Sequence, residues 1–443
     1  MMLGAFLLTA MWGGTLSGWT VMYGVSVLVF GLGVGGEYPM TSTTSMEKHQ
    51  GRADRLHRGR SVLLAFLMQG WGQLANQLSL MLILYLLNKN LSRPYGEETT
   101  QGTFRVAFAI AVIFCGYFLY LRIFKMADPD HKEGKRSGPP GGELRIALRF
   151  YWSRVLATTV CWFCSDFAFY GNQVFRNQLL QLVTGASSSD CKSLWLYNLI
   201  NIAIQLSGYY LAALLIDHKA YGRKNMQMVG FGMMFLCFIV CAGAFSALNQ
   251  EGTGAKIFQG IFFFSNFWVQ FGPNSTTFLV AGEVYPKRVR SMLHGLSAAV
   301  GKIGALVATV LYNYIEDRMK FWLVSLATLL GFILTALFVP DTTSLALEER
   351  SRFWDQVLDG TQEKYHGVAI HPDHLSWYER VVLKRAVHYD SELDAMQRIA
   401  KLRREYINAQ SEEEWQVTDQ SAPEYMDENA RRYFALESSY GNK

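Results

Sequence analysis

The chain has 443 residues, half of them hydrophobic and 14% aromatic, with only 17% charged against about 25% in soluble domains. That composition excludes an ordinary soluble globular protein, and the net charge of +5 does not indicate nucleic acid, because the basic residues fall in short loops between apolar runs. Of the six cysteines, Cys115, Cys161, Cys164, Cys237 and Cys241 lie inside apolar runs without metal-ligand or disulfide spacing, so no cofactor or metal is expected. Cys161 and Cys164 form a Cys-x-x-Cys, but inside an apolar helix it reads as packing.

In chain order, ten apolar stretches approach the ~20 residues needed to cross a bilayer as helix. They are 2–17, 20–45, 61–87, 104–125, 152–183, 194–216, 227–247, 256–281, 292–314 and 321–339. Met1 to Leu16 has neither a basic lead-in nor a cleavage signal, so it reads as a membrane helix rather than a signal peptide. A β-barrel would show alternating segments instead. The expected fold is an all-α polytopic membrane protein.

Loop charge gives the orientation. Lys and Arg concentrate in 47–60, 125–149, 217–224 and 285–290, which alternate with the poorer loops 88–103, 184–192, 248–254 and 315–320. The positive-inside rule places the first set, and the tail after Pro340, in the cytoplasm. Residues 126–150, with Pro139-Pro140-Gly141-Gly142, form a central cytosolic loop between 1–125 and 151–340, a four-helix and a six-helix half. The tail, 341–443, is too polar to span; 379–404 could be amphipathic helix. Asn90-Leu91-Ser92 is a sequon in an external loop, whereas Asn274-Ser275-Thr276 lies inside a span.

Chemistry enters through polar groups at membrane depth. Asp166 sits in the middle of an apolar run, where a charge costs about 3 kcal/mol or more unless it meets a cavity or partner. On a helix Trp162, Asp166 and Tyr170 share one face, a row of indole, carboxyl and phenol. Lys302, about ten residues into its own helix, is too deep to snorkel and reads either as an ion-pair partner of Asp166 or as an anion-attracting cation. Glu37 follows a run of small residues, Gly31 to Gly36, that lets helices approach; it is a second candidate proton carrier or an interfacial charge. Gln69 is a polar group flanked by glycine. Asn274 follows Gly272-Pro273, which frees a backbone carbonyl and breaks the helix, as helices lining transport sites often are. No nucleophile elbow, P-loop or metal spacing points to an enzyme.

Gly33-Val34-Gly35-Gly36-Glu37-Tyr38-Pro39, Met68-Gln69-Gly70, Asp166 to Gly171 and Phe271 to Phe278 resemble the major facilitator superfamily, and within it the phosphate:proton symporter branch. Gly222-Arg223-Lys224 and Gly282 to Arg290 resemble loop signatures of the whole superfamily. The resemblance covers about residues 1–340 and implies a major-facilitator-type helix bundle with a site between the halves. There Tyr38, Gln69, Trp162, Asp166, Tyr170, Asn274 and Lys302 would hold phosphate, with Asp166 and Glu37 coupling protons. The family has twelve helices, the first contributing an acidic residue, and the resemblance starts this chain at the third, which implies either a truncated gene model or fragment, or a protein that cannot transport as its relatives do. Glu37 stands where the family has aspartate. The implied function is proton-coupled uptake of inorganic phosphate across the plasma membrane by alternating access. The alternatives are a glycerophosphodiester carrier and a transport-dead phosphate receptor or sensor. The implied partners are a phosphate or phosphodiester anion, protons and membrane lipid.

Overall fold

The structure, a computed structural model, describes residues 1–12, 14–48, 57–89, 91, 95–125, 141–174, 191–218, 220–248, 253–396, 399–400 and 403. The sequon at Asn90, the linker 126–140, most of the basic loop 49–56 and the tail beyond 403 lie outside them. The described residues are helical, with no strand. In the first half they form α1 (Met2–Ala10), α2 (Leu16–Lys48), α3 (Arg58–Phe66), α4 (Met68–Asn88) and α5 (Glu97–Phe124). Then come α6 (Gly141–Phe150), α7 (Trp152–Val174), α8 (Cys191–Leu215), α9 (Gly222–Gly243), α10 (Thr253–Phe271), α11 (Pro273–Glu283), α12 (Lys287–Leu311) and α13 (Asp317–Phe338), followed by α14 (Leu347–Leu358) and α15 (Trp377–Val381).

Each of the ten apolar stretches is helical in its described part, and six of the helices are long and apolar enough to cross a membrane. The stretch read over 2–17 forms only the nine-residue α1, about 14 Å long at 1.5 Å per residue. Helix α5 has no buried residue, and its Ile113 and Phe124 are 71% and 69% exposed. Such apolar surface is stable only against hydrocarbon.

The second half is built around α7. Helices α11, α12 and α13 pack directly on it, and α8 to α10 complete the second half. In the first half α1 packs between α2 and α5, with α4 against α5. Two seams join the halves: α2 against α11 and α12, and α3 with α4 against α8. Of the small-residue run in α2, only Gly33 meets another helix, lying against the Met1 backbone; Cβ atoms at Gly31, Gly35 and Gly36 would meet nothing. Cys161 donates weakly toward the Gly331 carbonyl and sits 3.5 Å from the Thr335 hydroxyl, so the Cys-x-x-Cys packs and does not pair.

The tail is folded rather than trailing. Trp354 on α14 is completely buried against α7 and α12 neighbours, and Ser376 with Glu379 closes a capping box at α15. The expected amphipathic helix over 379–404 is interrupted, because α15 ends at Val381 and Lys384 takes a positive φ of 48°. Glu379, fully buried, bonds Arg154 at 2.7 Å and Arg385 at 2.6 Å, pinning the tail to the first turn of α7. Burial pushes this carboxyl up, but Arg154 and Arg385 outweigh it and hold it at about 2 instead of the ordinary 4.5. A depressed carboxylate stabilises the fold fully above its ordinary value and loses that contribution as pH falls toward the folded one. Thermal unfolding in detergent should therefore show a tail-dependent loss of stability between pH 4.5 and 2 that Glu379→Gln removes. At neutral pH that variant should cost about 3–5 kcal/mol and let trypsin cut at Arg380 and Lys384, which are exposed but held in folded backbone. An unchanged melt and digest would show that the pair does not hold the tail.

Candidate functional site

Helices α7 and α12 approach closely because glycines line the contact. A Cβ at Gly301 would come within 2.6 Å of the Trp162 ring, and one at Gly304 within 2.4 Å of the Phe163 carbonyl oxygen. Lys302 lies between them, so its amine reaches across to α7. It donates to Asp166 Oδ2 and to the Tyr170 hydroxyl, both at 2.9 Å. The Nζ also lies 4.1 Å from the centroid of the Tyr170 ring and 5.0 Å from that of Tyr38. Asp166 is 2% exposed, whereas 40% of the Lys302 side chain is accessible. The carboxylate is thus screened from one side by the cation that faces the accessible space. This is the pairing expected of charges at depth, since an unpaired one would be far more costly.

A second polar group forms where α10 breaks. Gly272 packs on Gly230 of α9, Pro273 starts α11, and Asn274 is turned inward, 6% exposed. Its amide donates to Gln270 Oε1 at 2.6 Å, to the Tyr209 hydroxyl at 3.0 Å and to Gln69 Oε1 at 3.3 Å. Tyr209 in turn donates to Gln69 Oε1 at 2.8 Å, so Gln69 of the first half is tied to α8 and α11 of the second.

Aromatic rings join the two polar groups. Tyr38 meets Trp162 and Phe278 edge-on, at 6.3 and 6.4 Å between centroids, and Phe66 stacks on Phe278 at 4.8 Å while meeting Tyr209 edge-on at 5.9 Å. Against these rings, between the halves, lies a cavity of about 210 Å³ lined by Glu37, Tyr38, Phe66, Gln69 and Phe278, among others. Asp166, Tyr170, Lys302 and Asn274 are not among the residues lining this cavity, whose aromatic wall is Tyr38, Phe66 and Phe278.

Every residue singled out in the sequence is therefore placed. Trp162, Asp166, Tyr170, Lys302 and Tyr38 form one cluster, and Gln69 and Asn274 form another. Glu37 is apart from both: its carboxylate takes two bonds from Arg122 of α5, at 2.6 and 2.7 Å, with both side chains partly exposed. It lines the cavity but is charge-matched within the first half.

Tyr209, Gln270 and Phe278 were not foreseen. A signal existed for the first: Asn198, Asn201, Gln205 and Tyr209 recur at three- and four-residue spacing on α8 and are all buried. A matching row on α4 reads Gln69, Gln73 and Gln77. The rows meet at Gln69–Tyr209 and at Gln77–Asn198, the latter at 2.5 Å.

At the end of the bundle carrying the basic loops, the halves are locked together by charge. Glu283 accepts from Arg58 at 2.8 Å and from Arg223 at 3.1 Å, and Arg58 also donates to the Leu345 carbonyl. Asp217 accepts from the backbone amides of Gly59 and Arg60 and from the Arg223 side chain. Met46, Val62 and Leu63 pack with Phe278, Leu279 and Ala281 beside this lock, an apolar plug drawn from both halves.

The known proteins to which this chain is similar are described as transporters, permeases and symporters. The family described as "Sugar (and other) transporter" matches residues 155–354. The chain is 27% identical over 407 residues to the repressible high-affinity phosphate permease of Neurospora crassa, covering 76% of this chain and 69% of that one. It is 28% identical over 386 residues to inorganic phosphate transporter 1-6 of Oryza sativa, covering 72% and 70%. It is 26% identical over 406 residues to inorganic phosphate transporter PHO84 of Saccharomyces cerevisiae, covering 75% and 67%. Among solved structures, the major facilitator superfamily proton:xylose symporter XylE superposes with a TM-score of 0.62 at 17% identity, over 80% of this chain and 82% of that one.

The Gly304 contact gives a direct test of the cluster. Gly304→Val must push α12 away from the Phe163 carbonyl, costing about 1–3 kcal/mol of overpacking and carrying Lys302 away from Asp166. Melting in detergent should fall accordingly, whereas Gly295→Ala, in open space on the same helix, should leave it unchanged or raise it through helix propensity. Equal melting temperatures for both variants would show that the close approach is not what positions Lys302.

Proposed function

We propose that this chain, which has the major facilitator fold, is a proton-coupled phosphate carrier of the plasma membrane, working by alternating access. The observation that carries the reading is Lys302, an accessible cation whose deep partner is the buried Asp166. Sequence similarity to phosphate transporters supports phosphate as the anion. Tyr38, Tyr170 and Trp162 would contribute ring edges and phenol donors, and Gln69 and Asn274 amide donors, once the aromatic wall opens. In this reading 1–125 and 151–340 are the two moving halves, 126–150 links them in the cytosol, and 341–443 is a cytosolic tail.

Coupling follows from one cation serving two anions. While Lys302 holds the Asp166 carboxylate, both charges are matched. A phosphate that takes over the ammonium leaves Asp166 buried and unpaired, a loss worth about 3–5 kcal/mol for a charge in such a place. A proton on the carboxylate removes that penalty and makes a donor where there was a second anion. Phosphate and proton therefore favour each other's binding, which is the thermodynamic content of symport. Release reverses the exchange, with Lys302 returning to the carboxylate.

Alternating access also needs breakable contacts on each side. The Arg58–Glu283–Arg223 lock and the Met46–Phe278 plug close the side bearing the basic loops, read as cytoplasmic. Opening that side separates Arg58 from Glu283, and the amide seam of α4 and α8 offers hydrogen bonds that water can replace at little net cost.

Uptake of labelled phosphate by cells lacking their own carriers, or by proteoliposomes with an inward proton gradient, tests the reading. Asp166→Asn should abolish gradient-driven accumulation while retaining phosphate exchange. Lys302→Gln should weaken phosphate binding by roughly tenfold or more, the worth of one charge-assisted hydrogen bond. Full accumulation by Asp166→Asn would remove the carboxyl from coupling. Preference for glycerophosphoinositol over phosphate would move the substrate to phosphodiesters, and binding without uptake would make the chain a receptor.

A further inference from the structure

On α12, His294 stands two turns before Lys302, with Ala298 between them, so all three share one stripe. Its ring is fully buried and meets Trp162 edge-on at 5.3 Å and Phe278 edge-on at 5.4 Å. The Ala281 backbone stands beside the ring as a weak hydrogen-bond partner, and no side chain among the described residues bonds either ring nitrogen. Packing alone does not account for this. A phenylalanine or leucine would fill the space without burying two nitrogens that no side chain meets, and buried polar groups in folded proteins are ordinarily satisfied.

The ionisable groups on the elements around α12 are already engaged. Asp166 is held by Lys302, Arg154 by Glu379, Glu283 by Arg58 and Arg223, Glu37 by Arg122 and Glu143 by Arg288. Arg350 of α14 donates to the Val284 carbonyl, and Tyr38 of α2 lies under the Lys302 amine. One turn before His294 on the same stripe, the buried Arg290 donates to the Tyr285 carbonyl, and His294 is the imidazole that stands between it and Lys302.

Its place is on a line. Along one face of α7 run Thr158, Trp162, Asp166 and Tyr170, one turn apart. His294 packs on Trp162, the turn between Asp166 and Thr158. Beyond it the Thr158 hydroxyl bonds to the Tyr285 hydroxyl at 2.7 Å and to Ser297 at 2.8 Å, a chain of hydroxyls reaching the α11–α12 connection.

We propose that His294 is a second proton-handling residue of this carrier, accepting the proton that Asp166 gives up and passing it toward the Lys287 end of α12. This rests on the reading of the chain as a proton-coupled phosphate carrier. When phosphate leaves, the O–H bond of protonated Asp166 breaks and a water molecule entering the opened site carries the proton. An N–H bond forms on a free ring nitrogen, leaving a carboxylate for Lys302 and an imidazolium. The imidazolium then gives its proton to water on the exit side and returns to the neutral ring. With Ala281 able to engage only one ring nitrogen, the other is open for that transfer.

Purified protein in liposomes separates this from a packing role. Two assays are run on the wild type, His294→Gln and His294→Phe: accumulation of labelled phosphate driven by a proton gradient, and exchange of labelled for unlabelled phosphate at equal pH, which moves no net proton. Both variants should lose tenfold or more in accumulation and flatten its pH profile, with exchange reduced far less. Wild-type accumulation and pH profile in either variant would overturn the inference. So would equal loss of accumulation and exchange in both, since that is the mark of a structural residue. A wild-type protein that exchanges phosphate without responding to a proton gradient would defeat the coupling reading and this inference together, while one that moves no phosphate at all would defeat the substrate reading first.

Discussion

The ion pair between Asp166 and Lys302 constrains everything around it. Two opposite charges at membrane depth are tolerable only in contact, and contact requires α7 and α12 to lie closer than ordinary side chains allow. Gly301 and Gly304 meet that requirement by giving up their side chains at the points where the Trp162 ring and the Phe163 carbonyl press in. The lysine stem then has Tyr38 and Tyr170 rings on which to rest its cation. Helix spacing, aromatic lining and charge placement are one arrangement.

The pair is asymmetric, and the asymmetry gives it chemical use. The carboxylate is sealed and the ammonium is accessible. An incoming oxyanion can compete for the cation but cannot reach the acid except by displacing it. In the proposed carrier, the two halves are the bodies that such an exchange would move. Charges and an apolar plug hold the bodies together at one end, and amide hydrogen bonds run along the α4–α8 seam. Strong and weak contacts are thus sorted by position: a buried arginine–glutamate lock at the basic end, exchangeable amide bonds near the site.

Much of this was legible in the residues. The one-face row of Trp162, Asp166 and Tyr170 needed only helical periodicity, and the break before Asn274 needed only the missing N–H of Pro273. The pairing of Lys302 with Asp166 was one of two readings of that lysine, and the fold brings the two side chains together. What could not be read depended on which helices become neighbours. Glu37 looks equally like a proton carrier and a surface charge until α5 brings Arg122 beside it. Tyr209 belongs to a visible polar row, but its tie to Gln69 exists only because the two halves meet there. The tail looked like a solvated appendage because its charges are mixed in sign, and only the fold shows that Glu379 is buried between two arginines. The loop signatures containing Arg223 and Glu283 were recognisable separately, but their meeting in one ion-pair network with Arg58 was not.

The central claim is that an anion arriving at Lys302 obliges Asp166 to take a proton. Infrared difference spectroscopy of the reconstituted protein, recorded on adding phosphate at constant pH, reads that event directly. The account predicts a new carboxylic acid C=O band together with loss of a carboxylate band, both absent in Asp166→Asn. Phosphate binding with no change in either band would contradict it.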